Sequence, residues 1–111
     1  MKPIVWCGDS LRRLRDFPED ARRESGHQLN RVQQGREPED WKPMSTVGPG
    51  VREIRVHQAG EFRVLYVANL AEAVYVLSAF EKKTRKTPQR EIELAAGRFR
   101  AVAEERRRQR R

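Results

Sequence analysis

Two strand-like segments of this 111-residue chain, and the residues directly after a third, carry charged side chains where a sheet usually holds few. Along Val51 to His57 the two-residue alternation puts Glu53, Arg55 and His57 on one face and Arg52, Ile54 and Val56 on the other. In Phe62 to Ala68, Arg63 shares a face with Leu65 and Val67, opposite Phe62, Val64 and Tyr66. Directly after Ala73 to Phe80 the chain runs Glu81-Lys82-Lys83-Thr84-Arg85-Lys86. A guanidinium on an open sheet face offers a fork of donors matched to two phosphate oxygens, and lysines beside it add point charge. The alternative for Arg63 is a solvated position or an internal ion pair with Glu53 or Glu61, and the alternative for the cationic run is plain solvation.

Other chemistries lack their residues. His27 and His57 fit no zinc spacing, Cys7 has no partner cysteine, and no calcium-loop pattern or phosphate-cradling glycine loop occurs, so no metal and no cofactor is expected. Cys7 suits a small apolar role in a first strand. A serine nucleophile turn is absent, and Ser10 is better used as a helix cap.

The charge balance points to a polyanionic partner. Residues 1 to 81 hold 12 basic and 12 acidic side chains, and residues 82 to 111 hold 12 basic and 4 acidic, so the C-terminal part carries the whole net charge of +8. Each phosphate neutralised by such a segment releases condensed counterions, which favours nucleic acid first and an acidic protein second. With no long apolar N-terminal region and no membrane-length apolar run, the expected location is cytoplasmic, with no membrane partner.

The length suits one domain. Ile4 to Cys7 reads as a short strand, Ser10 to Phe17 as a helix with Leu11, Leu14 and Phe17 on one side, and Pro18 as the restart of a second helix. That helix has a thin face of Ala21, Ser25, Leu29 and Val32 and ends at Gly35, completing a helical hairpin. Residues 36 to 50 are rich in Pro and Gly and predict an ordered loop pinned by Trp41. The three strand-like runs, joined by short links, predict an antiparallel meander. Thr87-Pro88 looks like a cap followed by Pro at the first helical position, opening a helix with Ile92, Ala95, Ala96, Phe99, Val102 and Ala103 on its periodic face. The expectation is an α+β fold: a helical hairpin on a small, mainly antiparallel four-stranded sheet, plus a C-terminal helix. Residues 1–101 form the domain and 102–111 an Arg-rich tail, with Arg106 to Arg111 a loose cationic tether.

Arg52-Glu53-Ile54-Arg55, then Gly60-x-Phe62-Arg63-Val64-Leu65-Tyr66, then Phe80-Glu81-Lys82-Lys83-Thr84-x-Lys86-Thr87-Pro88 with Glu91-Ile92 and Ala95, resemble the RelE/HigB-type toxins of bacterial toxin-antitoxin pairs, most closely the phage-protein-like branch. The resemblance extends from the first strand to about Arg100. It implies two N-terminal helices on one sheet face and, on the other, partly concave face, a surface for messenger RNA in the ribosomal A site. It further implies metal-independent cleavage by attack of a ribose 2′-hydroxyl on the adjacent phosphate. Such a reaction needs a proton acceptor, cations for the phosphorane charge and a donor to the leaving 5′-oxygen.

On that resemblance Arg63 stands where the phosphate-stabilising arginine does, expected exposed and dispensable for folding. Arg52 and Arg55 match the earlier basic strand, and Lys82 and Lys83, with Arg85 and Lys86, the basic segment after the last strand. No His-rich or Tyr-containing stretch follows Lys83, which leaves Lys82, Lys83, Glu81, His57 and Tyr66 open as acid or base. The Lys82-Lys83-Arg85-Lys86 crowd could lower the pKa of a lysine base. The implied function is a ribosome-dependent endoribonuclease that inhibits translation and is silenced in a hetero-oligomer by a helix-turn-helix antitoxin. The alternatives are a non-enzymatic ParE-like inhibitor of DNA gyrase and a noncatalytic RNA-binding remnant.

Overall fold

A computed structural model describes residues 1–110. Its elements in chain order are β1 (Ile4–Trp6), α1 (Ser10–Arg15), α2 (Glu19–Gln33), β2 (Trp41–Pro43), β3 (Val51–Val56), β4 (Phe62–Val67), β5 (Val74–Glu81) and α3 (Gln89–Gln109). The strands make one five-stranded sheet in the order β1-β5-β4-β3-β2. The expected four strands are therefore five, and the sheet is mixed, because β1 pairs parallel to β5 while the other pairings are antiparallel. The fifth strand, β2, comes from the segment expected to be only a loop. Three paired residues suffice: Trp41 lies opposite Ile54, Lys42 opposite Glu53 and Pro43 opposite Arg52.

The apolar pattern divides the sheet into two cores. On one face Ile54, Val56, Phe62, Val64, Tyr66, Val74 and Val76 pack under the helical hairpin, which supplies Leu14, Phe17, Ala21, Leu29 and Val32. The thin face expected of α2 is the buried one, with Ser25 returning its hydroxyl to the Ala21 carbonyl at 2.8 Å. Ser10 does not cap α1. Its hydroxyl donates to the Val76 carbonyl at 3.1 Å, and Asp9 occupies the cap position. Pro18 holds the corresponding position for α2 and Pro88 for α3, where Thr87 is free for another use.

The other sheet face is not open throughout. Ile92, Ala95, Ala96 and Phe99 of α3 pack on Val51, Leu65, Val67, Leu77 and Phe80. This approach is close enough that a Cβ on Gly48 would meet the Phe99 ring at 2.7 Å. Ionic contacts clip α3 to α1 across the edge of β5: Arg13 meets Glu91 at 2.9 Å, and Arg98 meets Asp9 at 2.6 Å while donating to the Leu77 carbonyl. The Arg98 hydrogen bond holds the Asp9 carboxyl down at about 2.

The expected loose tether is instead helical through Gln109, and Arg106 meets Glu72 at 2.7 Å; Arg111 lies outside the described residues. The apolar spacing does fade after Val102, so this last stretch docks through charge. The Arg106 bond is the largest cause holding Glu72 at about 2. A carboxyl depressed in the folded state stabilises above its ordinary pKa and loses that contribution as pH falls toward the folded value. Arg106→Ala is therefore expected to return the Glu72 titration, followed by NMR, toward the ordinary range near 4.5. An unchanged midpoint would show that Arg106 does not hold the helix end in solution.

Candidate functional site

At the end of the sheet that α3 leaves uncovered, a buried carboxylate gathers three cations. Strand pairing puts Glu53 opposite Lys42 on one side and Leu65 on the other, and puts Arg55 opposite Arg63. Glu53 is fully buried. Its Oε1 lies 3.7 Å from Arg63 Nε, 3.8 Å from Lys42 Nζ and 3.9 Å from Arg55 Nε. Thr87, freed from capping, donates to its Oε2 at 2.9 Å. The three cations stand at ion-pair range but not in hydrogen-bond contact: Glu53 Oε1, Arg55 Nε and Arg63 Nε are buried without a hydrogen-bond partner among the described residues. A carboxylate so surrounded fixes cations in place while leaving donor capacity for an incoming anion.

Arg63 is not the exposed sheet arginine that was expected. It is 5 % exposed, donates to the Phe62 carbonyl at 2.9 Å and meets Glu61 at 3.1 Å. The two internal ion-pair partners considered from the sequence, Glu53 and Glu61, are both present. The physical reason is the second charged strand beside it: with Glu53 buried one register position away, an arginine is the residue that makes that burial tolerable.

Lys82 leaves the sheet beside this cluster, its backbone N–H donating to the Glu61 carbonyl at 2.7 Å. Its ammonium is pushed below the ordinary lysine value first by desolvation and then by Arg63, Lys42 and Arg55, with Glu53 opposing. The cations acting on Lys82 thus come from the sheet, and not from the Lys83-Arg85-Lys86 crowd that follows it. Those three side chains are exposed, and Lys83 meets only Glu81, at 3.8 Å. Glu81 pairs opposite Phe62, whose side chain belongs to the face under the hairpin, so it stands apart from the cluster.

His57 is not simply solvated. Nε2 lies 2.6 Å from Asp40 and Nδ1 2.9 Å from Glu61, and these two hydrogen bonds, Asp40 first, raise its pKa. A histidine engaged at both nitrogens by carboxylates is poorly placed to accept a substrate proton. Instead it steadies Glu61, which in turn holds Arg63. Because the folded pKa is raised, the stabilisation from this bridge is complete below the unfolded value of about 6.5 and is lost as pH rises through the folded one. Asp40→Asn is expected to lower the His57 midpoint in an NMR titration, and no movement would remove Asp40 from the bridge.

Arg52 and Tyr66 lie on the opposite face. Arg52 stacks over the Trp41 ring at 3.9 Å and lies 3.7 Å from Glu37, so it does not join Arg55. Tyr66 is core, as its apolar neighbours suggested. Of the sequence candidates the structure brings together Arg55, Arg63 and Lys82. It adds Lys42, Glu53 and Thr87.

Fold and site define a small α+β protein with one twisted sheet, a hairpin on one face, and a half-covered second face ending in a cationic cluster around a buried carboxylate. The chain belongs to the family described as phage derived protein Gp49-like (DUF891), whose model matches residues 12–100. That family is one of RelE/HigB-like toxins. No curated protein matches the chain. No helix among the described residues is long and apolar enough to cross a membrane.

Proposed function

We propose that this chain is the toxin of a toxin-antitoxin pair, a metal-independent endoribonuclease that cleaves messenger RNA on the ribosome in the cytoplasm and is neutralised by a helix-turn-helix antitoxin. The observation that carries the reading is Lys82, an ammonium with a lowered pKa beside three cations fixed on a buried carboxylate. Family membership supports the toxin assignment.

Neutral Lys82 accepts the 2′-hydroxyl proton, and the 2′-oxygen bonds to phosphorus. Arg63, Arg55 and Lys42 stabilise the charge of the pentacovalent intermediate, the strongest lever in such a site. The P–O5′ bond then breaks, leaving a 2′,3′-cyclic phosphate, and the departing 5′-oxygen takes its proton from Lys42, the other ammonium of the cluster. Glu53 holds the cations in place throughout.

Translating ribosomes incubated with the protein should acquire new 5′-hydroxyl ends in register with codons. Arrest without new ends, accompanied by gyrase inhibition, would instead make the protein a ParE-like poison, and binding without either effect would make it an RNA-binding remnant. Lys83→Ala should cost far less than Lys82→Ala, because Lys83 points into solvent.

A further inference from the structure

The face opposite the cationic cluster holds a second basic hollow. It lies between the end of α2 and strands β3 and β4, has a volume of about 320 Å³, and its lining includes Lys2, Arg36, Glu37, Arg52, Tyr66 and Asn69. A volume of this order is at the lower end for small-molecule sites. Tyr66 is 1 % exposed, yet its hydroxyl has no hydrogen-bond partner among the described residues. Burial raises its pKa, and the Arg52 guanidinium, near enough to act on the hydroxyl without making a well-formed hydrogen bond to it, acts in the other direction.

The unmet hydrogen-bonding capacity around this hollow is mostly donor. Arg36 forms no ion pair among the described residues, Asn69 forms no side-chain hydrogen bond among them, and Arg52 is only 3.7 Å from Glu37 while braced flat on Trp41. Lys2 adds charge at the other wall, anchored by bonds to the Ala68 and Leu70 carbonyls at 2.6 and 2.8 Å. Glu37 is the one carboxylate in the lining. A buried phenol without a partner costs stability, and natural proteins keep such groups chiefly where something completes them. A tetrahedral oxyanion completes a phenol, an amide and two guanidinium groups together.

We propose that this hollow binds a phosphate group, carried either by a free mononucleotide or by an RNA backbone. The site is separate from the Lys82 cluster: Arg52 and Tyr66 face the hairpin, and Glu53, Arg55 and Arg63 face the other way. It therefore stands or falls independently of the nuclease reading. A mononucleotide presents a phosphate monoester dianion, and a backbone presents diester monoanions, which allows the two sources to be told apart.

The test is an amide NMR titration of the full chain with inorganic phosphate, with uridine 5′-monophosphate, and with a short oligoribonucleotide lacking terminal phosphates. Saturable shifts are expected at Gly35, Arg36, Gly50 and Asn69. Arg52→Gln and Tyr66→Phe should each weaken binding by about tenfold, and Arg22→Gln, an exposed change in the first half of α2 outside the lining, should leave it unchanged. Tyr66→Phe preserves the ring in the core, and Arg52→Gln changes a half-exposed side chain whose contacts are the Trp41 ring and Glu37, so the second carries the test if the first destabilises the fold. Tighter binding of the mononucleotide assigns a free-nucleotide site, and tighter binding of the oligoribonucleotide assigns a backbone site. No saturable shift with any of the three probes, or shifts that both variants leave intact, would overturn the proposal.

Discussion

Arg63→Ala is expected to destabilise the protein by about 3 kcal/mol, because breaking a buried ion pair from one side strands the other charge. The stranded group is Glu53, fully buried, which keeps Lys42 and Arg55 at 3.8 and 3.9 Å but no hydrogen bond to either. Those two remaining cations put the cost at the lower end of the range for such losses. For a domain of this size a loss of about 3 kcal/mol corresponds to a melting temperature lower by roughly 10–20 °C. Adding Glu53→Gln should recover part of it, since the amide oxygen can still accept from Thr87 and no longer carries an unbalanced charge. Thermal melts of the two single variants and the double variant measure this directly. A melting temperature unmoved by Arg63→Ala would mean that the side chain is solvated and that Glu53 is neutralised by something else. Activity of Arg63→Ala is therefore interpretable only at temperatures where the variant is shown to be folded.

The same residue shows what one strand at a time can reveal. Alternation placed Glu53, Arg55 and Arg63 on faces of their own strands, but which face of β3 meets which face of β4 follows from pairing, and pairing is non-local. Leu65 and Val67 beside Arg63 already implied a covered face, because two large aliphatic residues on a strand seldom stay exposed. What covers them is α3, whose Ile92, Ala95, Ala96 and Phe99 were legible as a periodic stripe without a stated destination. Lys42 had no local signal: it sits among prolines and glycines, and it enters the site only because Trp41 brings β2 alongside β3. Thr87 resembled a cap, and nothing short of the three-dimensional fold places its hydroxyl on Glu53. Arg106 departed from expectation for a different reason. A helix end held by a single ion pair such as Arg106 with Glu72 leaves no apolar spacing in the sequence.

The hairpin was easier to see, because its signals are local. Ala21, Ser25, Leu29 and Val32 repeat at the helical period, and Pro18 and Gly35 punctuate the segment. Charge placement also carried through to the structure in part. The cationic run begins where the chain leaves β5, and its first lysine is the one that the sheet cations surround. The rest of the run points outward because a strand end can aim only its first one or two side chains back over the sheet.

Lys82→Ala is expected to slow cleavage of ribosome-bound message by about 10²–10⁴-fold, the range for loss of a positioned proton acceptor. Lys82→Arg should not rescue it, because a guanidinium stays protonated at any working pH, whereas a lysine serving only as a point charge would tolerate the exchange. The pH profile tests the same assignment from its surroundings. If the neutral amine is the active form, the rate rises with pH until Lys82 is deprotonated, at a midpoint below the ordinary lysine value of 10.5. Arg55→Gln removes a cation that lowers this pKa and should move the rising limb to higher pH. Glu53→Gln removes the carboxylate that raises it and should move the limb to lower pH. Two substitutions a few ångströms apart are thus expected to shift one profile in opposite directions, which loss of stability alone would not do. Rates measured on folded variants across the pH range in which ribosomes stay intact are sufficient to see it. Rising limbs with one common midpoint in all three proteins, or full activity in Lys82→Arg, would take the proton acceptor away from Lys82 and leave it as one more charge beside the phosphate.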